Sequence, residues 1–225
     1  MPLAIVFKED KLDYITGTLT ISGNGMMPDY HSNNLPSWYA YRTSITTIMI
    51  QNGVTKIGNN AFNGCSILLS IIIPTNVDII GEYAFAGCSS LKVVTIEDSS
   101  IPLSFSYRAL NESNNIETVH LGRNLNNAVY GTNSIFKNET HLSTLTIGND
   151  VTEIGNYLFY GCTGLTKITS NPCQPPTINN CNAFEGVNKN IPIILKDCSC
   201  LGNASLPSGI YYLKLAEATV KFVKE

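Results

Sequence analysis

The chain has 225 residues, of which 44% are hydrophobic and only 14% are charged, with a formal net charge of −3. This length is sufficient for one large domain with a substantial core. The slightly acidic balance excludes the basic surface typical of proteins that bind nucleic acids. No apolar stretch approaches the roughly 20 residues that span a bilayer. We therefore predict a folded domain that neither binds nucleic acid nor inserts into a membrane.

The N-terminus, MPLAIVFKEDK, contains one apolar run, Leu3 to Phe7. This run is too short for the core of a secretory signal peptide, and it lacks a basic start and a small-residue cleavage site. Two interpretations stay open: a cytosolic protein, or a mature chain from which a signal was removed. The stretch that follows at 22–38, SGNGMMPDYHSNNLPSW, is rich in Gly, Asn and Pro and predicts an ordered loop.

From residue 39 onward the chain repeats one phrase, most clearly as IGNNAFNGC at 57–65 and IGEYAFAGC at 80–88. One residue per copy serves as an anchor, and the anchors lie 23 to 26 residues apart. In most copies, aliphatic residues follow the anchor at offsets of six, nine and eleven. The anchors are Tyr39, Phe62, Phe85, Leu110, Phe136, Phe159 and Phe184.

The offsets predict the shape of each copy. Apolar residues two apart, such as Ile71 and Ile73, point to one face of a β-strand. Such a strand cannot bury its apolar face alone, so stacked copies pair in parallel and form a solenoid. The upstream V-x-x-I-G element predicts a second extended segment with a turn at Gly. The phrase N-x-A-F-x-G-C predicts one tight helical turn that places the anchor in the core.

The predicted fold class is therefore α/β, a right-handed leucine-rich-repeat-like solenoid that is rich in parallel strands and has short helical turns. The repeat is degenerate between residues 97 and 138, where extra residues predict loops on one face. After Asn171, NPCQPPT predicts an extended segment, and Tyr211–Leu215 and Val220–Phe222 predict closing strands. We predict one domain over 1–225, with an N-terminal cap and partial repeats at 1–44, repeats at 45–195 and a C-terminal cap at 196–225.

The seven cysteines fall into two groups. Cys65, Cys88 and Cys162 share one repeat position, which indicates packing rather than redox chemistry. The others have spacings that suit a zinc site poorly. Buried free thiols are favoured for them, and a disulfide or a metal site stays open. This second group is Cys173, Cys181, Cys198 and Cys200.

No motif for catalysis or for a cofactor stands out. G-x-S-x-G and phosphate-binding glycine loops are absent from the sequence. No Asp or Glu lies at a suggestive spacing from His31, His120 or His141, and the acidic residues form no recognisable pair. We predict that the protein is not an enzyme and has no catalytic, cofactor or metal site.

The outward positions of the strands, eight and ten residues after each anchor, are rich in Thr. The favoured explanation is β-propensity, because Thr suits an exposed strand. The other explanation is a partner-binding face, since solenoids recognise partners over such surfaces. A second candidate is the loop with Tyr30, Trp38 and Tyr39, although Trp38 suits the core better. The residues of the candidate strand face are Thr95, Thr118, His120, Thr144, Thr146, Lys167 and Thr169.

Three copies, IGNNAFNGCSILLSIIIP, IGEYAFAGCSSLKVVTI and IGNYLFYGCTGLTKIT, closely resemble the repeats of BspA-like leucine-rich repeat surface proteins. GTLTISGNGMMPDY and NPCQPPTINNCNAFEGVNKNIPI resemble the opening and closing coils of that family. The end of the chain, CSCLGNASLPSGIYYLKL, departs from the pattern.

The resemblance implies a secreted or cell-surface protein whose signal peptide is absent from this sequence. It also implies a recognition role, and we predict an adhesin for a host extracellular-matrix protein or a glycan. The alternative is a rigid spacer, or a repeat segment of a larger surface protein, without a ligand of its own.

Overall fold

The computed structural model describes residues 11–106, 108–126, 134–172, 176–178, 181–188, 190–195, 209–215 and 218–224. For residues 181, 192–195, 209–215 and 218–224 only the backbone is described. The predictions for the run Leu3–Phe7 and for Cys173, Cys198 and Cys200 therefore fall outside the described residues, as does the Cys181 side chain.

Short strands make up most of the regular structure, and helix is confined to two 3₁₀ segments, Tyr39–Ser44 and Cys181–Phe184, within the described residues. The strands in chain order are β1 (Lys11–Asp13), β2 (Thr18–Ile21), β3 (Gly25–Met26), β4 (Thr47–Ile50), β5 (Val54–Ile57), β6 (Ser70–Ile73), β7 (Ile79–Ile80), β8 (Val93–Ile96), β9 (Leu103–Phe105), β10 (Thr118–Arg123), β11 (Leu125–Asn126), β12 (Thr144–Asp150), β13 (Glu153–Ile154), β14 (Lys167–Ser170), β15 (Thr177–Ile178), β16 (Pro192–Leu195), β17 (Gly209–Leu215) and β18 (Ala218–Lys224).

The principal sheet, as far as the chain is described, contains eleven strands in the order β1-β2-β4-β6-β8-β10-β12-β14-β16-β18-β17. Within this order, each coil contributes one strand from β2 to β16, and successive strands of this set pair in parallel. The last of them, β16, also pairs in parallel with β18. Both ends finish in an antiparallel pair, β1 with β2 and β17 with β18. The solenoid and the closing strands near the C-terminus are confirmed.

A second sheet runs along another side of the coils in the order β11-β9-β7-β5-β3. The V-x-x-I element forms β5 and β7, as predicted. Three strands lie where the sequence showed no such element: β3 in the 22–38 stretch, and β9 and β11 in the degenerate region. The 22–38 stretch is thus not only a loop, because its Gly25–Met26 strand completes the first coil by pairing with β5. A separate pair joins β13 with β15, and Thr177 of β15 is the last residue of the predicted extended segment NPCQPPT. Residues 173–175 of that segment lie outside the described residues.

Most anchors are buried and stack from coil to coil, whereas Phe184 is half-buried. Ring centroids lie 5.2 Å apart for Phe62 and Phe85, and 5.7 Å apart for Phe136 and Phe159. The first anchor was predicted one residue too late. Trp38 is buried, stacks on Phe62 at 5.8 Å and donates its indole N–H to the Ala61 carbonyl at 2.9 Å, whereas Tyr39 is half-buried. The cause is the 3₁₀ helix that begins at Tyr39 and replaces the turn of the other coils.

The two repeat glycines have different roles. Gly87 has a φ of +67°, a left-handed conformation that favours glycine, and it lies in a turn rather than a regular helix. Gly81 does not adopt this left-handed conformation, so a turn does not explain why glycine occupies position 81. A Cβ at Gly81 would lie 2.6 Å from the Asn59 backbone nitrogen, and the glycine therefore allows two coils to approach.

A column of residues three after each anchor runs through the interior. Cys65, Cys88 and Cys162 occupy it as free, buried thiols, which confirms their predicted packing role. Burial raises the pKa of the Cys65 and Cys162 thiols to about 12, and it raises the pKa of Cys88 as well. These thiols are therefore protonated near neutral pH and are poor nucleophiles.

In one coil the same column contains Glu139, whose side chain is only 5% exposed. Its Oε2 atom has no hydrogen-bond partner among the described residues. Burial raises the pKa of this carboxyl to about 7, against a smaller opposing effect of a hydrogen bond with the Ile116 backbone. A charged carboxylate is therefore held in an apolar column above neutral pH.

We expect Glu139→Gln to raise the free energy of unfolding at pH 8 and to flatten its pH dependence. Because the folded pKa of about 7 lies above the ordinary 4.5, the folded state binds the proton more tightly. The stabilisation of the folded state by the proton on Glu139 is fully present below pH 4.5 and is lost as the pH rises through 7. The loss should amount to about 1–3 kcal/mol. Urea titrations of wild type and variant from pH 4.5 to 8 measure it.

The exposed Glu112→Gln change is the matched control and should leave the pH slope of the wild type intact. Equal slopes for wild type and Glu139→Gln would contradict the titration of a buried Glu139.

Candidate partner-binding surface

The outward face of the principal sheet is arranged in rungs, each formed by residues in register on adjacent strands. One rung joins Thr47, Ser70, Val93, Thr118, Thr144 and Lys167. The next joins Ile72, Thr95, His120, Thr146 and Thr169. Neighbouring strands lie about 4.8 Å apart. The seven residues predicted from sequence therefore lie side by side on two rungs.

The accessibility of these residues differs along the rungs. Lys167 is exposed, and Thr95, Thr118, His120, Thr144 and Thr146 are half-buried. Thr169 differs from its neighbours, because only 4% of it is exposed although its register is the same. It does not present its side chain to a partner in this structure. The face available for contact thus contains six of the seven residues, and their role in binding stays a prediction.

His120 has an acidic partner that sequence spacing did not reveal. Its Nε2 lies 2.7 Å from Oδ1 of Asp98, a residue 22 positions upstream. Asp98 Oδ2 also accepts hydrogen bonds from the backbone and side chain of Asn149, at 3.3 and 3.4 Å. Gly148 makes room for the carboxylate, because a Cβ there would collide with Asp98. The ring of His120 is therefore fixed at the edge of the face.

The N-terminal part of the same face is apolar. Met49 and Ile72 are each about half exposed on this face, and Ile67 and Leu69, which directly precede β6, are exposed as well. We did not select these residues from sequence, although a signal was available. Leu69 lies seven residues after its anchor, a position at which the next two coils carry Lys92 and Glu117. These two residues form an exposed ion pair at 2.8 Å. Leu69 is thus an exposed apolar residue where the next two coils carry charged side chains, so this surface differs from the one beside it.

In the part of the chain that the structure describes, no three His, Cys, Asp or Glu side chains converge as a metal site would require. No helix among the described residues has the length and apolar character to cross a membrane.

Comparison with known proteins assigns the repeat. The BspA type Leucine rich repeat region matches the chain in six copies, over residues 35–166 and 130–209. The chain belongs to this family. The resemblance inferred from the repeat phrases is confirmed, and BspA-type repeats account for the coils described above. No curated protein matches the sequence.

Three solved structures resemble this BspA-type chain. A leucine-rich repeat protein from Eubacterium ventriosum is 20% identical, with a TM-score of 0.44, and the match covers 81% of this chain and 62% of that one. The T. pallidum leucine rich repeat protein is 20% identical, with a TM-score of 0.38 and coverage of 72% and 78%. A leucine rich cell surface protein from Faecalibacterium prausnitzii is 21% identical, with a TM-score of 0.33 and coverage of 79% and 57%. The chain thus spans about three fifths of the length of the E. ventriosum protein.

Proposed function

We propose that this BspA-type chain is a non-catalytic recognition module of a secreted or cell-surface protein. In this proposal it acts as an adhesin that binds a host extracellular-matrix protein or a glycan through the outward face of its principal sheet. The observation that carries the proposal is the exposed apolar group of Met49, Leu69 and Ile72, continuous with the Thr-rich rungs.

Two physical arguments support this face. Solenoids use extended surfaces, formed by equivalent positions of successive repeats, to bind partners. Exposed apolar side chains in one group, bordered by polar ones, are typical of interaction sites. Here the apolar end would supply buried area, while the Thr hydroxyls and Lys167 would supply hydrogen bonds and charge. A spacer needs only the buried half of each strand, so it does not account for the exposed Ile72 and Met49.

The test is binding of the purified protein to immobilised fibronectin, fibrinogen, collagen and mucin glycans, at physiological and at high salt. We expect a saturable signal for at least one of them that persists at high salt, because apolar contacts are not screened by ions. A folded protein that binds none of them would favour the spacer.

With a ligand in hand, Ile72→Ser and Lys167→Glu should each weaken binding about tenfold, a loss of about 1.4 kcal/mol. Ile72→Ser removes apolar contact area, and Lys167→Glu reverses a charge at the C-terminal end of the face. Titration of each variant against the immobilised ligand measures the change.

Ile101→Ser and Lys137→Glu introduce the same chemical changes outside the strands of the principal sheet. They should bind like the wild type. Equal losses for face and control variants would argue against the outward face as the binding site.

A further inference from the structure

A cleft of about 520 Å³ lies beside the first anchored turn. Its volume falls within the range of about 300–1,000 Å³ that is common for small-ligand sites. Three segments form its walls: the loop from Tyr30 to Pro36, the 3₁₀ helix Tyr39–Ser44, and the turn from Asn60 to Gly64. None of its lining residues belongs to the principal sheet, so the cleft is distinct from the outward face.

The walls of the cleft are held by hydrogen bonds. The Tyr30 backbone N–H donates to the Asn59 carbonyl at 2.9 Å, and the Asn60 side chain donates to the Tyr30 carbonyl at 2.9 Å. His31 and Asn34 exchange backbone hydrogen bonds at 3.1 and 2.9 Å. A site whose walls are already ordered loses less entropy when it binds a ligand.

Arg42 is the cation of the cleft. Its guanidinium lies 4.0 Å from the centroid of the Tyr39 ring, and its Nη1 donates to the Tyr39 carbonyl at 2.8 Å. No carboxylate among the described residues forms an ion pair with Arg42, and no acidic residue lines the cleft. The Nε–Nη2 edge is therefore available to donate two parallel hydrogen bonds to a carboxylate.

A Cβ at Gly64 would lie 3.2 Å from Nε and 3.4 Å from Cδ of Arg42, so the glycine allows the arginine side chain to lie against this turn. Ser32, Asn60 and Asn63, the hydroxyl and amide side chains that line the cleft, carry no charge. Asn63 donates to Asn60 Oδ1 at 3.1 Å and retains its own Oδ1 as an acceptor. His31 Nδ1 accepts from the Asn33 N–H at 3.3 Å, which leaves Nε2 as a donor in the neutral ring.

We propose that this cleft binds a carboxylated saccharide. The Nε–Nη2 edge of Arg42 binds the carboxylate, and Asn63 and His31 bind ring hydroxyls as acceptor and donor. The Tyr39 ring lies under the Arg42 guanidinium and fixes the position of that cation. Neutral groups that donate and accept hydrogen bonds suit the many hydroxyls of a sugar. An acidic peptide would instead need an extended groove for its backbone or hydrophobic subsites for its apolar side chains.

Isothermal titration calorimetry with sialyllactose and with trigalacturonate tests the proposal, and lactose and triglutamate serve as comparison ligands. We expect saturable binding of at least one acidic sugar, and binding of lactose at least tenfold weaker. Failure of both acidic sugars to bind would overturn the proposal. Triglutamate binding as tight as that of the sugars would assign the cleft to acidic peptides instead.

Arg42→Gln should weaken binding of the acidic sugar at least tenfold, and Arg42→Lys should weaken it less, because the charge remains without the paired donors. Asn63→Asp, which places a negative charge in the cleft, is an independent second variant with the same expected direction. Arg108→Gln, the same change on an exposed arginine that does not line the cleft, should bind like the wild type.

Lys167→Glu on the outward face should also leave sugar binding unchanged. This variant separates the two proposals: the cleft can bind sugar while the outward face binds no matrix protein, and the reverse can hold. Unchanged affinity in both Arg42→Gln and Asn63→Asp would remove the cleft as the sugar site.

Discussion

Phe85→Ala is expected to lower the free energy of unfolding by about 3–5 kcal/mol. Phe85 is 1% exposed, and its ring stacks on Phe62 with centroids 5.2 Å apart. Its backbone N–H donates to the Ala109 carbonyl of the next coil at 2.8 Å. The coil that contains Phe85 is therefore bonded to the following coil as well as stacked on the preceding one. Neighbouring coils cannot collapse into the space that the ring leaves, and a cavity remains in the stack.

Chemical denaturation monitored by circular dichroism measures this loss. Leu69→Ala removes a side chain that is about half exposed and should change stability by no more than about 0.5 kcal/mol. Wild-type-like unfolding of Phe85→Ala would contradict a core built from stacked anchors.

Arg123→Ala should lower the free energy of unfolding by about 3 kcal/mol. The side chain is fully buried, and its Nη2 and Nη1 donate to the carbonyls of Pro74 and Thr75 at 2.7 and 3.2 Å. These carbonyls lie nearly 50 residues upstream, so the guanidinium links three successive coils. Burial lowers its pKa, and the nearby charges of Glu97 and Asp78 oppose that effect.

Arg123→Met separates packing from hydrogen bonding, because it retains most of the apolar stem. We expect a smaller loss than for alanine, measured by the same urea titrations. Arg108→Ala, on an exposed arginine, should change stability by about 0.5 kcal/mol or less. If Arg123→Ala also stayed within that limit, the arginine would not hold the coils together.

The burial of Arg123 could not be predicted from its position in the repeat. At the equivalent positions other coils carry Thr75, Asp98 and Asn149, and a charged residue is rarely fully buried. The register between β10 and β12 shifts after Leu121, and Arg123 pairs with Asp150 rather than with the residue that the repeat predicts. The alternation of the inward residues Val119 and Leu121 continues to Arg123, whereas Asn149 at the same offset in the next coil is exposed, so the repeat position alone does not fix burial here.

The burial of Glu139 could almost be predicted from the sequence alone. The shared repeat position of Cys65, Cys88 and Cys162 predicted that they pack in the interior, and all three are buried. The same alignment places Glu139 in that column. Its raised pKa follows once the column is known to exclude water, and that depends on how closely the coils pack.

The repeat by itself determined the solenoid, the parallel strands and the rungs of the outward face. Period and register are linked: equal spacing places equivalent residues on adjacent strands, and burial of one face then selects the alternation. The sequence favoured Trp38 for the core while naming Tyr39 as the anchor, and only the tertiary structure decided that Tyr39 is not an anchor. It also decided that Asp98 binds His120 and that Arg42 faces a cleft. These contacts join residues in different coils, and the path of each turn, which varies from copy to copy, sets which side chains meet.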